Sequence, residues 1–204
     1  MFEASISNES LEQLPTAAFD GEIVLVNDIS QLSNAIAYLK EQKVLGFDTE
    51  TRPMFKKGAK NKVALLQLSG KNRAYLFRLI DIGLPQQLAE ILENDSILKI
   101  GAAVRDDINQ LNKYTKFQAK GFVDLQKFIE NYDIQDKSVK KMAAIILNVR
   151  ISKSQQLSNW ENEEYTDAQK LYAATDAWIC REMYLELLQH HSKKKKHDRR
   201  KNNS

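Results

Sequence analysis

The stretch VLGFDTE, residues 44–50, predicts the central strand of the fold. It begins with consecutive apolar residues, which is typical of a strand covered on both faces. Asp48 and Glu50 are two residues apart, so on a strand their side chains point to the same face. Burying two carboxylates among apolar neighbours is costly unless a positive charge such as a divalent metal ion compensates them. A strand end carrying two solvated acids is the alternative.

Other segments around this strand predict an α/β domain with a mixed sheet. Three consecutive strands with short links favour an antiparallel meander, and a later strand reached through a helix favours a parallel neighbour. The predicted strands are 22–27, 44–50, 63–69, 74–79 and 97–103, and residues 121–125 are either a short strand or the lead into a helix. The predicted helices are 30–41, 84–94, 106–114, 124–132, 138–148 and 166–190. We expect one domain over residues 21–190, flanked by an irregular lead over 1–20 and a basic, disordered tail over 191–204.

Composition excludes several classes of enzyme. The chain has 204 residues, of which 43% are hydrophobic and 28% charged, as in an ordinary globular protein. Its one cysteine, Cys180, excludes an internal disulfide, and its three histidines all lie in the last fifteen residues. The predicted domain therefore offers neither a histidine-dependent triad nor an ordinary zinc site. We expect a cytoplasmic protein with no membrane partner, since neither a signal peptide nor a membrane span is visible.

Basic residues concentrate in two places. Residues 193–204 carry seven Lys or Arg and one acid, whereas the rest of the chain has 23 basic and 26 acidic residues. The tail either attracts a polyanion such as nucleic acid or is solvated charge without a partner. A predicted loop after the central strand contains further candidate contacts to nucleic acid, namely Arg52, Lys56, Lys57, Lys60 and Lys62.

Further candidate acids occur in two other segments. Tyr172 and Asp176 are four residues apart on the last predicted helix, hence on one helical face, and small residues around them favour close approach to the sheet. Asp106 and Asp107 follow the strand over 97–103, and either could reach the same pocket. Oxygen ligands without His or Cys favour Mg²⁺ or Mn²⁺. Two such ions would form a clamp for attack on a phosphodiester.

Five segments together resemble a known enzyme family. They are GFDTE (46–50), KVALLQLS (62–69), KIGAAVRDDINQL (99–111), LSNWE (157–161) and QKLYAATDAW (169–178). The chain resembles the DEDD superfamily of 3′–5′ exonucleases, which have a DnaQ-like, ribonuclease H-like fold. It is most similar to the branch that contains the Werner syndrome exonuclease domain and ribonuclease D.

This resemblance implies a role for each candidate. Asp48, Glu50, Asp107 and Asp176 would bind two Mg²⁺ or Mn²⁺ ions, with Asp107 rather than its neighbour as the second-motif acid. Tyr172 would orient the attacking water, as in the DEDDy subgroup. The implied activity is hydrolysis of DNA or RNA from the 3′ end to nucleoside 5′-monophosphates. The alternatives are trimming of structured RNA 3′ ends and a nucleic-acid-binding module that has lost catalysis.

Overall fold

The computed structural model describes residues 2–52 and 62–201, with side chains described as far as His191. A six-stranded sheet forms the centre of the described region. Its strands are β1 (Glu22–Val26), β2 (Val44–Thr51), β3 (Val63–Ser69), β4 (Arg73–Arg78), β5 (Leu98–Gly101) and β6 (Phe122–Asp124). The helices are α1 (Asn8–Glu12), α2 (Leu32–Glu41), α3 (Leu79–Ile82), α4 (Gln86–Glu93), α5 (Val104–Leu111), α6 (Leu125–Phe128), α7 (Val139–Leu147) and α8 (Asp167–Lys201).

The strand order confirms the predicted mixed sheet. Across the sheet the order is β1-β4-β3-β2-β5-β6. Strands β2, β3 and β4 form the antiparallel meander, while β1 pairs with β4, and β5 with β2 and β6, in parallel. The tight link between β3 and β4 is closed by a hydrogen bond of 2.9 Å from the amide of Gly70 to the carbonyl of Arg73. The tight link between β3 and β4 makes this pair antiparallel, and α5 between β5 and β6 permits a parallel pair.

Alternation along β2 separates two layers of helices. Leu45 and Phe47 are buried in a cluster with residues of α2, α4 and α5. Gly46 faces the opposite layer, where α8 runs across the sheet against β2 and β3. A Cβ atom at position 46 would overlap the carbonyl group of Ala177 on α8. Glycine therefore permits α8 to approach β2 at backbone distance, and this approach positions the candidate site.

The N-terminal lead is not irregular throughout, so this part of the prediction is wrong. Residues Asn8–Glu12 form α1, whose first turn is capped by the side chain of Ser7. Leu11 and Phe19 are almost completely buried. The amide of Phe19 donates to Oγ1 of Thr175 at 3.0 Å, which attaches the lead to α8. These isolated apolar residues show no periodicity along the chain, and only their packing partners reveal their role.

The last helix also extends further than predicted. We expected α8 to end near residue 190 and a disordered tail to follow, but helical backbone continues to Lys201. Lys and Arg are good helix formers, and extending an existing helix adds a hydrogen bond for each residue ordered. Low hydrophobicity alone therefore does not predict the backbone conformation of this segment. Within the described residues, no helix is long and apolar enough to cross a membrane.

Candidate metal centre and active site

Three acids from two elements converge beside the close contact between β2 and α8. Asp48 and Glu50 come from β2 and Asp176 comes from α8, and one oxygen of each lies within 4.8 Å of the others. We call these residues the carboxylate trio. Asp48 and Glu50 are partly buried, and Asp176 is 5% exposed. The predicted proximity of the D-x-E pair and the helical aspartate is therefore present in the structure.

The start of α8 sets which of its residues face the trio. Thr166 and Gln169 cap this end reciprocally, since Oγ1 of Thr166 accepts from the amide of Gln169 at 3.2 Å and Oε1 of Gln169 accepts from the amide of Thr166 at 3.0 Å. Tyr172 and Asp176 then follow one turn apart. Behind Tyr172 lies the fully buried Trp160, with ring centroids 6.1 Å apart. Trp160 is thus a core residue that supports the tyrosine.

Burial and mutual repulsion disfavour the charged forms of the trio. Burial raises the pKa of Asp48 well above its usual value, and the charges of Asp176 and Asp107 raise it further. Burial, followed by the charge of Asp48, raises the pKa of Glu50 to about 10. The pKa of Asp176 is also raised by burial. The positive charge near the trio does not offset burial and repulsion, so a bound cation would stabilise the charged carboxylates.

The donor set of the trio fits a hard divalent cation. Oδ1 of Asp176 is buried without a hydrogen-bond partner among the described residues, which leaves its lone pairs available. The three oxygens offer carboxylate ligands, with no His or Cys in the described group. Mg²⁺ and Mn²⁺ prefer such oxygen ligands, whereas zinc sites usually include nitrogen or sulfur. The trio is thus a candidate metal centre of the predicted kind.

Burial also keeps the Tyr172 phenol protonated. The pKa of Tyr172 is raised by burial and then by the negative charge of Asp176, with smaller contributions from Glu50 and Asp48. At neutral pH the hydroxyl can therefore donate and accept hydrogen bonds beside the trio.

Asp107 reaches the same end of β2 from the other layer of helices. Its Oδ1 accepts a hydrogen bond of 2.5 Å from Oγ1 of Thr49, which lies between the two acids of β2. Burial raises the pKa of Asp107 to about 6. Asp107 is not within the 4.8 Å group, yet its charge raises the pKa of both Asp48 and Glu50. Its neighbour Asp106 is exposed, so geometry separates two residues that sequence spacing left equivalent.

Sequence reasoning missed one residue of this site, Lys153. Its Nζ lies 3.4 Å from Oδ2 of Asp176 and 5.7 Å from the centroid of the Tyr172 ring. Lys153 belongs to an irregular polar segment between α7 and α8. A single lysine there follows no helical or strand periodicity, so the residues alone offered no signal for it.

The predicted basic loop is only partly described. Lys56, Lys57 and Lys60 lie outside the described residues. Arg52 forms an ion pair of 3.2 Å with Glu161, which follows Trp160. Lys62 is exposed, with its Nζ 5.8 Å from the ring centroid of Tyr114. Both described residues are exposed and lie within twelve residues after Glu50 in the sequence.

Comparison with known proteins gives a consistent result. Residues 23–191 match the family described as 3′–5′ exonuclease. The chain is 34% identical over 202 residues to the bifunctional 3′–5′ exonuclease/ATP-dependent helicase WRN of Mus musculus, covering 91% of this chain and 14% of that protein. It is 34% identical over 149 residues to the exonuclease 3′–5′ domain-containing protein 2 of Drosophila melanogaster, covering 71% and 25%. This chain therefore spans only a quarter or less of these two relatives.

A solved structure supports the same fold. The Nibbler EXO domain of Aedes aegypti superposes with a TM-score of 0.70 at 24% identity, covering 84% of this chain and 90% of that domain. The mixed sheet flanked by helices matches this exonuclease domain, which confirms the predicted ribonuclease H-like fold.

Proposed function

Because the chain belongs to the 3′–5′ exonuclease family, we propose that it removes nucleotides from the 3′ end of DNA or RNA by metal-dependent hydrolysis, releasing nucleoside 5′-monophosphates. The observation that carries this proposal is the convergence of Asp48, Glu50 and Asp176 at one end of β2. All four candidate acids are present and lie at this end of β2, with Asp107 hydrogen-bonded to Thr49. Their presence disfavours a binding module that has lost catalysis.

The trio is proposed to hold one Mg²⁺ or Mn²⁺ ion, and Asp107 together with Asp48 a second. Bound ions of this kind acidify a coordinated water and neutralise charge on a phosphodiester. The chain's own contribution is to keep several acids close together despite the cost seen in their raised pKa values. These buried acids would therefore be stabilised by cations at the place where a phosphodiester would be hydrolysed.

Tyr172 is proposed to position the attacking water. Its raised pKa keeps the phenol neutral, so it acts by hydrogen bonding rather than as a base. Packing against Trp160 restricts the ring, and the hydroxyl lies on the Asp176 side of the site. Restricting the ring reduces the entropy lost when water and phosphate are aligned.

A negatively charged site needs positive charge nearby to attract a polynucleotide. We propose that Arg52, Lys56, Lys57, Lys60 and Lys62 contact the phosphate backbone beside the site. Support comes from their sequence position within twelve residues after Glu50 and from the exposure of Arg52 and Lys62. Such contacts are independent of base sequence and weaken with salt.

The test compares DNA and RNA oligonucleotides of matched sequence, labelled at the 5′ end, with single-stranded or recessed 3′ ends. With Mg²⁺ or Mn²⁺ we expect a ladder shortened from the 3′ end and release of 5′-monophosphates, and with excess chelator we expect intact substrate. A preference for structured RNA would identify the RNA-trimming alternative. Binding without degradation at millimolar metal would contradict the proposed activity.

Neighbouring aspartates provide the matched control for this assay. Asp107→Asn should abolish most of the activity because it removes a proposed ligand, whereas Asp106→Asn should remain close to wild type because that side chain is exposed. Equal activity of the two variants would remove Asp107 from the proposed site. Circular dichroism of both variants checks that the fold is retained.

A further inference from the structure

Lys153 brings a positive charge to the carboxylate trio in the metal-free chain. Its Nζ is 3.4 Å from Oδ2 of Asp176, within ion-pair distance but long for a hydrogen bond. The charge of Lys153 lowers the pKa of Asp176, Glu50 and Asp48, opposing the effect of burial on each. Its Nζ also lies 5.7 Å from the centroid of the Tyr172 ring, so Lys153 is close to both residues that α8 contributes to the site.

The two partners of this ion pair differ in their freedom to move. The Asp176 side chain is 6% exposed and lies on a helix, whereas the Lys153 side chain is 31% exposed and belongs to an irregular segment. Lysine also has a flexible stem, so its ammonium can leave at little cost. Oδ1 of the same aspartate has no hydrogen-bond partner among the described residues. Lys153 thus contacts Asp176 through Oδ2 and Tyr172 also hydrogen-bonds to this carboxylate, while Oδ1 is available to a second cation.

We propose that Lys153 is a built-in counter-ion of the metal-free site, which stabilises the carboxylate trio and competes with the metal ion for Asp176. This inference rests on the proposed metal centre. A divalent ion on the trio would lie a few ångströms from the ammonium, and two positive charges at that separation repel each other. Lys153 thus favours the metal-free state over the metal-bound state, and as a positioning residue it keeps the acids assembled until metal arrives.

The decisive variant is Lys153→Met, which removes the charge while keeping most of the side-chain length. In chelator, its melting temperature should fall by a few degrees, because a buried carboxylate loses its partner. In saturating Mn²⁺ it should match wild type. The dissociation constant for Mn²⁺, measured by titration calorimetry without nucleic acid, should decrease about tenfold, as the linkage between the two states requires.

Two further variants serve as controls. Lys153→Arg keeps the positive charge and should retain most of the wild-type difference between the metal-free and metal-bound melting temperatures. Lys137→Met removes an ion pair of 2.6 Å between exposed residues, Lys137 and Glu130, and should change neither metal affinity nor the metal-induced shift. If Lys153→Met fails to fold without metal, Lys153→Gln supplies the same charge change with a side chain that can still hydrogen-bond.

Several results would overturn the inference. An equal loss of stability with and without metal would make the contact an ordinary structural ion pair. Unchanged or weaker Mn²⁺ affinity in Lys153→Met would exclude competition for Asp176, while leaving the proposed exonuclease activity intact. Absence of metal binding to the wild-type chain would instead refute the metal centre itself, and this inference with it.

Discussion

The two faces of β2 show how one strand serves both stability and chemistry. On one face Leu45 and Phe47 are buried with apolar residues of α2, α4 and α5. On the other face Asp48 and Glu50 meet Asp176 of α8 with their pKa values raised by burial. Burial of the apolar face stabilises the fold, whereas burial of the acids destabilises it. The difference indicates that α8 is held in place by its buried apolar residues, whereas the acids collected beside it carry a local cost in stability.

The largest expected effect comes from neutralising Asp48 on the acidic face of β2. Asp48→Asn should reduce exonuclease turnover on the order of 10⁴-fold, equivalent to about 5 kcal/mol of activation free energy, because a proposed metal ligand is lost. The metal-free protein should unfold at the same or a higher temperature, since the variant removes a disfavoured buried charge. Steady-state kinetics and thermal melting in chelator measure the two effects. Turnover within tenfold of wild type would contradict the distinction between the faces.

Phe47, the neighbour of Asp48 on the apolar face, should affect stability most strongly. Phe47→Ala should lower the free energy of unfolding by about 3–5 kcal/mol, because it leaves a cavity beside α2 and α4. Chemical denaturation measures the loss. Phe47→Leu, which keeps most of the volume, is the control and should cost clearly less. A stable Phe47→Ala variant would show that this face does not support the sheet as its burial indicates.

A substitution at Gly46 tests the close contact between β2 and α8 that brings the carboxylate trio together. Gly46→Ala should cost about 2–3 kcal/mol in unfolding free energy, since its Cβ would overlap the carbonyl of Ala177 and displace α8. The same displacement should separate Asp176 from Asp48 and weaken Mn²⁺ binding. Gly83→Ala is a useful control, because a Cβ there has open space around it and only a positive φ of 64° opposes the change. Unchanged metal affinity in Gly46→Ala would separate the trio from this close approach.

The smallest effect concerns Lys99, a charged residue on the same side of the sheet as α4. Lys99 is fully buried, and its Nζ donates to the carbonyls of Asn94 at 2.7 Å and Ile97 at 2.8 Å. Burial lowers its pKa from 10.5 to about 8. Between these values the unfolded chain binds more protons than the folded chain, so the contribution of Lys99 to stability rises with pH.

The expected size of this contribution is about 1–2 kcal/mol between pH 7.5 and 9.5. Chemical denaturation at several pH values measures it, with Lys99→Met as the reference that lacks the titrating group. The wild type should gain stability relative to Lys99→Met as pH increases. Parallel pH profiles of the two proteins would show that the buried ammonium keeps its ordinary pKa.

Local patterns predicted most of the fold. Consecutive predicted strands with short links indicated the meander, and helical spacing put Tyr172 and Asp176 on one face. These features depend on neighbours within a few residues, so the chain encodes them directly. The irregular assignment of the lead failed because Leu11 and Phe19 find their partners far away in sequence.

Sequence alone thus determined the elements, the alternation of β2 and the identity of the candidate acids. The resemblance already favoured Asp107 over Asp106, and the tertiary structure supplied the contact that distinguishes them, the hydrogen bond from Thr49 to Asp107. Only the tertiary structure revealed Lys153 beside Asp176. The physical reason is one of range. Secondary structure arises from backbone geometry and nearby side chains, whereas the electrostatics of a site depend on groups more than a hundred residues apart that packing brings within a few ångströms.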